Sequence, residues 1–426
     1  MVEYVVIDNI QNRFVTKYRK LFWLPVIFLS VVAVFLLADK NHDVHIEISK
    51  YPDGKDFAFT ITDDPDYGWL EEKYIVYGLL DRLGFKTTIA VWVLDNKHGT
   101  GQSGVNSGVG GITTNNKKYL KHTKELQNKG FEIGLHTVGP GNDLRDETIS
   151  GYELFKERFG QYPKININHT SNVENIYWGR DRFSNKMMSF VYGLKTPGYL
   201  GHIEDSEYFW GDVCKAKSKY VRGWATDSIN TLSVNKTMPY HLDDKPYVNY
   251  WFGCSDGFEY DKFMRLVTDE NISTLVSERG TSIIYTHFGY GFVNRSTNSL
   301  SDEFIRQMTK ISQMNGWFVP VSTILDRFLL LNNVEIIHRD NNVILVNLND
   351  EPIYGLTILT DQKRLYFFNT NEWKSSNSDG EIILGELSPF SAFKLGKTNK
   401  GQKMESPGMF ERLNIVWDWI IGRLAK

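Results

Sequence analysis

The stretch from Phe57 to Asp66, FAFTITDDPD, constrains this chain more than any other. Phe57, Phe59 and Ile61 alternate with the smaller Ala58 and Thr60, the period-two pattern of a short, largely buried strand. That strand runs into two adjacent carboxylates, Asp63 and Asp64, and Pro65 stops it from continuing as a ladder strand. Two aspartates at the end of a core strand repel each other unless positive charge lies between them. A metal ion would keep both ionised, one as a ligand and the other as a general base. The same residues also begin a helix well, so a turn with an N-cap is the alternative reading.

The pattern of an apolar strand ending in a polar group recurs along the chain. Thr87 to Leu94 is almost continuously apolar, as a strand of a buried parallel sheet should be. Phe131 to Leu135 ends in His136, Lys164 to Asn168 ends in His169, and Ser282 to Thr286 ends in His287. Helices fall between them. Leu70, Tyr74, Tyr77, Leu80 and Leu83 recur at helical spacing before Gly84, and a second helix is expected from Asn116 to Asn128. Each histidine alone reads more simply as a hydrogen-bonded structural residue. Together, Asp63, Asp64, His136, His169 and His287 gather polar groups on one rim of a parallel β/α barrel, where barrel enzymes hold their chemistry.

A chain of 426 residues has room for two or three domains. The formal net charge is −3 without a strongly basic block, so nucleic acid is not the expected partner. The two cysteines, Cys214 and Cys254, are compatible with one disulfide or with two buried thiols. Gly99, Gly101 and Gly104 formally match a dinucleotide fingerprint, but no helix opens there, and a loop over a site is the better reading.

Leu21 to Ala38 carries no charge and reaches the length needed to span a bilayer. Arg13, Lys17, Arg19 and Lys20 precede it, which predicts a cytoplasmic segment 1–20, an anchor over 21–38 and the remainder outside. A cleaved signal peptide is the alternative, though no small-residue cleavage pattern follows. From Asn332 the texture changes to short apolar runs separated by turn residues, which predicts a small antiparallel β-sandwich over 332–396. The tail 406–426 places Leu413, Val416, Trp417, Ile420, Ile421 and Leu424 on one face of an amphipathic helix.

FTITDDPD resembles the first motif of the polysaccharide deacetylases, carbohydrate esterase family four, which normally reads Thr-Phe-Asp-Asp-Gly. Phe131 to Thr137 is similar to the second motif, in which a metal-binding histidine precedes Ser or Thr. Trp224-Ala225-Thr226-Asp227 is similar to the fourth, and Ile283 to His287 to the fifth, which supplies an acid histidine. Asn315 to Ser322 resembles the strand that closes the domain. The matches fall in family order over residues 45–330. They imply a distorted parallel (β/α) barrel of seven or eight strands, alongside the transmembrane helix and the C-terminal β-sandwich. The chain departs from the pattern in four places. Pro65 replaces the first motif's glycine, Pro140 stands where a second metal histidine is expected, Asn168-His169-Thr170 replaces an arginine-proline, and a long insertion that includes Trp251 to Asp256 separates the fourth and fifth motifs.

The resemblance implies a metal-dependent hydrolase, most simply with zinc, that removes N-acetyl groups from a surface or envelope polysaccharide. Asp63 would be the base and His287 the acid, oriented by Asp227. Asp64 and His136 would hold the metal, and His169 would supply the ligand missing at Pro140 in preference to His98, Asn142 or Asp143. Trp224, Tyr285 and Trp178 are the candidate substrate-binding aromatics. The protein would sit in the cell membrane by one span, facing the periplasm or exterior, with polysaccharide export or synthesis machinery as a further partner. Two rival readings stand beside this one. One is an inactive polysaccharide-binding or assembly protein that kept the barrel; the other is a glycoside hydrolase with two carboxylates and no metal.

Overall fold

A computed structural model describes residues 44–100, 110–170, 172–196, 198–339 and 341–399. The chain divides into two compact units: Lys50–Asn332, and a second made of residues up to Ser49 together with those from Asn333 onward.

The second unit begins with β1 (Ile46–Ile48). The barrel strands follow: β2 (Phe57–Asp63), β3 (Thr88–Val91), β4 (Glu132–His136), β5 (Ile165–Ile167), β6 (Tyr220–Thr226), β7 (Tyr250–Asp256) and β8 (Thr281–Thr286). These seven run parallel in the order β2-β3-β4-β5-β6-β7-β8, and β8 pairs back onto β2 to close the barrel. A small ribbon, β9 (Val293–Asn294) and β10 (Ser299–Leu300), is inserted next. Then β11 (Gly316–Trp317) pairs parallel with Phe57 and Ala58 at the start of β2. Since β8 holds one edge of β2, β11 shares the other edge with β3, which pairs only at Thr62 and Asp63. This wedge is why the closing segment reads as an extra strand.

Alternation along β2 assigns its two faces. Phe57, Phe59 and Ile61 pack in one apolar cluster with Val76, Tyr77 and Leu80 of the helix Leu70–Arg82. Ala58 belongs instead to the cluster holding Ala90, Ile165, Phe252, Cys254 and Ile283, which fills the barrel interior. On β2 the large residues therefore face the helices, and the small ones face the lumen. Val321, Ile324 and Phe328 of the helix Val321–Leu331 join the inner cluster. The helix Lys117–Asn128 starts where its cap permits: Asn116 Oδ1 accepts from the backbone N–H of Lys118 and Tyr119. Such a cap is worth about 1 kcal/mol. Both cysteines are buried and free.

The remaining strands are β12 (Val334–Arg339), β13 (Asn342–Asn347), β14 (Ile353–Thr360), β15 (Arg364–Phe367), β16 (Glu372–Ser375), β17 (Glu381–Leu387) and β18 (Ala392–Gly396). They form two antiparallel sheets, β12-β13-β18-β15-β16 and β1-β14-β17. The fully buried Asn347 ties the chain together, donating through Nδ2 to the carbonyls of Leu387 and Ser388. The sequence expectation begins the barrel segment at residue 45, but β1 pairs antiparallel with Ile358–Thr360 of β14 in the other unit.

Among the described residues no helix is long and apolar enough to cross a membrane. The expected anchor over 21–38 and the amphipathic tail over 406–426 lie outside the described residues, as do 101–109 of the glycine-rich loop.

Candidate active site

Every strand that ends in a candidate residue delivers it to one end of the barrel. His136 closes β4, with Ile133 and Leu135 facing the helices and His136 on the opposite parity. His169 lies two residues beyond the inward-facing Ile167, and His287 two beyond Tyr285, which packs on the inner cluster. Asp64, Asp66, His136, His169 and His287 line one cavity of about 380 Å³ together with Arg222, Trp178, Trp224 and Tyr285. The three aromatics expected to meet substrate all face this space.

Asp63 does not. It continues the parity of Phe59 and Ile61, so its carboxylate faces the helix layer. Lys73 Nζ approaches Oδ2 to 2.6 Å, the Tyr77 hydroxyl donates to the same oxygen at 2.7 Å, and Phe288 N–H donates to Oδ1 at 3.0 Å. Lys73 and Tyr77 stand four residues apart and therefore share a helix face. Asp63 is a buried structural ion, which corrects the expectation that it is the base.

Asp64 takes the lumen side. Arg222 of β6 grips it with two guanidinium nitrogens, at 2.9 and 2.6 Å. Burial works against ionisation of Asp64, but the Arg222 charge and hydrogen bonds hold its carboxyl below the usual range. The same partner raises Arg222 against its own burial. Arg222 takes one lone pair of each Asp64 oxygen, and Asp64 Oδ2 lies 3.9 Å from His136 Nε2, so Asp64 stands outside the cluster of His136 and His169 in which the sequence expectation puts it.

The candidate ligand position falls to Asp66, beyond the proline. Its Oδ1 lies 2.9 Å from His169 Nε2 and its Oδ2 lies 3.2 Å from His136 Nε2. Asp66, His136 and His169 are all buried, and their donor atoms lie within 4.8 Å of one another. His169 Nδ1 contacts Asn172 Oδ1 at 2.8 Å. The Asn172 amide nitrogen is itself anchored on the Gly141 carbonyl at 2.6 Å and on Glu174 Oε1 at 2.7 Å. Its oxygen therefore faces His169, which must donate from Nδ1, leaving a lone pair on Nε2. A neutral His169 would then press a lone pair against a carboxylate oxygen at 2.9 Å. Positive charge between them, a proton or a metal ion, removes that conflict. Asp66 Oδ2 also has no hydrogen-bond partner among the described residues. Two imidazoles and one carboxylate with an open side fit the three-ligand set of a catalytic zinc site.

The charges respond accordingly. Burial opposes ionisation of Asp66, yet its two histidine partners hold it well below the ordinary carboxylate range. Burial alone would lower His169, but Asp66 raises it; in His136 burial prevails and the ring is pushed down.

His287 Nε2 faces Asp66 Oδ2 at 3.7 Å and Asp64 Oδ2 at 3.9 Å. Its orienting partner is the Phe258 carbonyl, which accepts from Nδ1 at 2.7 Å. Asp227 is exposed and absent from the cavity wall, which corrects its expected role. The strand's register shifts between Arg222 and Trp224; Trp224 and Ala225 still line the cavity, and Asp227 lies beyond them, exposed. His98 is drawn off to Glu147 at 3.0 Å.

The backbone beside Asp66 is tightly set. Asp66 bridges to Gly111, and Tyr67 N–H donates to the Gly110 carbonyl at 2.7 Å. A Cβ on Gly111 would overlap the Pro65 carbonyl oxygen and the Trp92 ring. The glycine-rich stretch thus serves the site through its end, by allowing this close approach.

No protein-family model matches the chain, and no curated protein matches it. Solved structures do. A protein from Mycobacterium smegmatis assigned as a polysaccharide deacetylase shares 12% identity, covering 66% of this chain and 93% of that one, with a TM-score of 0.38. The PuuE allantoinase shares 10% identity over 68% of this chain and 94% of that one, with a TM-score of 0.36. A family 4 acetyl xylan esterase from Clostridium thermocellum, in complex with a cobalt ion, shares 14% identity over 63% and 90%, with a TM-score of 0.28. The chain is similar to polysaccharide deacetylases.

Proposed function

We propose that this protein is a metal-dependent hydrolase that removes N-acetyl groups from a polysaccharide. The observation that carries the reading is Asp66 lying between His136 Nε2 and His169 Nε2, with His287 and Asp64 beside them on the cavity side. Asp66, His136 and His169 would hold the ion, most plausibly zinc given two nitrogens and one oxygen. When bound, such an ion polarises an amide carbonyl and lowers the pKa of water.

The rest is the work of the chain's own groups. Asp64, kept ionised by Arg222, accepts a proton from the water that adds to the acetyl carbon. His287, held by the Phe258 carbonyl through Nδ1, presents Nε2 and delivers a proton to the departing amine as the C–N bond breaks. Acetate and a free amino sugar result. A positioned acid and base of this kind contribute about 10²–10⁴-fold. Trp178, Trp224 and Tyr285 offer faces on which a sugar ring can stack. The uncharged 21–38 run would hold the protein at the membrane with the cavity outside, where envelope polysaccharide lies.

The test uses the full chain purified in detergent. Metal content is measured before and after chelation, and acetate release from N-acetylated oligosaccharides is followed in both states. Stoichiometric metal, with acetate release lost on chelation and restored by zinc, is the expected result. Acetate release untouched by chelation, or no release from metal-loaded protein, would overturn the reading and favour a binding protein.

A further inference from the structure

Beside the reaction cavity lies a second one of about 270 Å³. Phe183, Trp224, Tyr240 and Trp251 line it with two cations, Arg182 and Lys245. Arg182 and Trp224 belong to both cavities and so form the partition between them.

The two cations differ in what neutralises them. Lys245 has a side chain only 3% exposed and is paired with Asp244 at 2.9 Å, and it also donates to Ser184 at 3.2 Å. Arg182 has no carboxylate partner among the described residues, and its buried Nε has no hydrogen-bond acceptor. The nearest acid in sequence, Asp181, is turned towards Arg180 at 3.6 Å and His202 at 3.9 Å. What Arg182 does have is a ring: its guanidinium carbon lies 3.9 Å from the centroid of Trp178. Stacking satisfies the face of the guanidinium and leaves its N–H edge free, the geometry suited to an in-plane carboxylate or phosphate. A half-buried, unpaired cation is costly, and an anionic ligand group would remove that cost. The aromatic walls of the second cavity supply stacking surface for the ring that carries the anion. Gly223 keeps its floor open, since a Cβ there would come within 3.0 Å of the Trp251 ring.

We infer that the second cavity is a subsite for a sugar bearing an anionic group, read by Arg182, next to the sugar whose amide reaches Asp66 and His287. This inference rests on the proposed deacetylase reading and names its substrate class as an anionic N-acetylated glycan. The anion is a carboxylate, as in a uronic acid, or a phosphate ester.

The test is a binding titration in chelator with the full chain, so it reports whether or not turnover is found. Three probes are compared: a hyaluronan tetrasaccharide, the same tetrasaccharide with its carboxyls reduced to alcohols, and di-N-acetylchitobiose 1-phosphate. At least one anionic probe is expected to bind about tenfold or more tightly than the neutral one, the worth of one hydrogen bond to a charged group. Whichever anionic probe is preferred identifies carboxylate or phosphate. Arg182→Gln should erase the preference for the anionic probe over the neutral one, whatever both lose with the stack on Trp178, whereas Arg182→Lys should retain part of it. Should Arg182→Gln fail to fold, the salt dependence of the wild-type preference decides: it should weaken as ionic strength rises. Equal affinity for all three probes, no binding of any, a salt-insensitive preference, or a preference surviving Arg182→Gln would overturn the inference. Equal affinities would leave the deacetylase reading standing, because acetate release tests that separately.

Discussion

Asp63 and Asp64 are adjacent in sequence and face opposite sides of the barrel wall. Asp63 meets Lys73 at 2.6 Å in the helix layer, and Asp64 meets Arg222 at 2.6 Å in the lumen. Their substitutions should therefore fail in different ways. Asp63→Asn takes from the fully buried Lys73 its closer acid and leaves Glu72 at 3.6 Å, so the cost should reach at most the full cost of a broken buried pair, about 3–5 kcal/mol. Its denaturant midpoint should fall sharply, while metal content of the folded fraction stays near wild type. Asp64→Asn should keep the metal and lose acetate release by about 10²-fold or more, because the base is gone. Chemical denaturation and metal analysis of both variants check this. An Asp63→Asn protein of normal stability with no turnover would restore Asp63 as the base.

The alternation that separates these residues is written in FAFTITDD: large residues at 57, 59 and 61 predict that 63 follows them outward. Reading Asp-Asp as a unit hides it. The barrel and the inward histidines were legible because parallel strands covered on both faces must be apolar, so a polar strand end stands out. Arg222 carries a weaker sign, one cation inside the apolar Tyr220–Ala225 run. Asp66 lies past a proline and follows no strand period. The Phe258 carbonyl that orients His287 has no sequence sign at all, since every residue has a backbone acceptor. The pairing of β1 with β14 depends on contacts more than three hundred residues apart, which local pattern does not encode.

A buried acid near the site sets a pH dependence of stability. Burial, reinforced by the negative charge of Glu147, pushes the Asp143 carboxyl up to about 7. The folded protein then holds a proton that the unfolded chain releases near the ordinary aspartate range. Its contribution is fully present below that range and is lost as pH rises through about 7. Asp143→Asn mimics the protonated form. Relative to wild type its gain in stability should be small near pH 3.8, grow steadily with pH and level off above about 7, measured as unfolding midpoints across pH. A gain independent of pH would exclude this titration as the cause.

Gly111 should tolerate no side chain. Gly111→Ala brings a methyl group against the Pro65 carbonyl and Trp92, so the segment carrying Asp66 must move. Metal content should fall with much less loss of global stability than Asp63→Asn produces, because the barrel strands are untouched. Unchanged metal stoichiometry in the variant would show that the loop adjusts without displacing the carboxylate.

The most discriminating change is at Asn172, which touches no metal-facing atom of Asp66 or His136. It fixes His169 by accepting from Nδ1, and its own amide is pinned by the Gly141 carbonyl and Glu174. Outer partners of this kind typically cost 10–100-fold in metal affinity when removed. Asn172→Ala should weaken zinc binding by about that factor, since His169 is then free to turn or to take the other tautomer. Asn172→Asp keeps an acceptor facing Nδ1 but sets its other oxygen against the Gly141 carbonyl and Glu174, so it should recover only part of what Asn172→Ala loses. A competition titration with a chromophoric chelator measures all three proteins on one scale. His169→Ala supplies the limit, because it deletes the ligand itself. If Asn172→Ala matched wild type while His169→Ala lost the metal, His169 would be a ligand held by its strand alone. If neither changed the affinity, the ion would lie elsewhere, and the assignment of Asp66, His136 and His169 would fail with it.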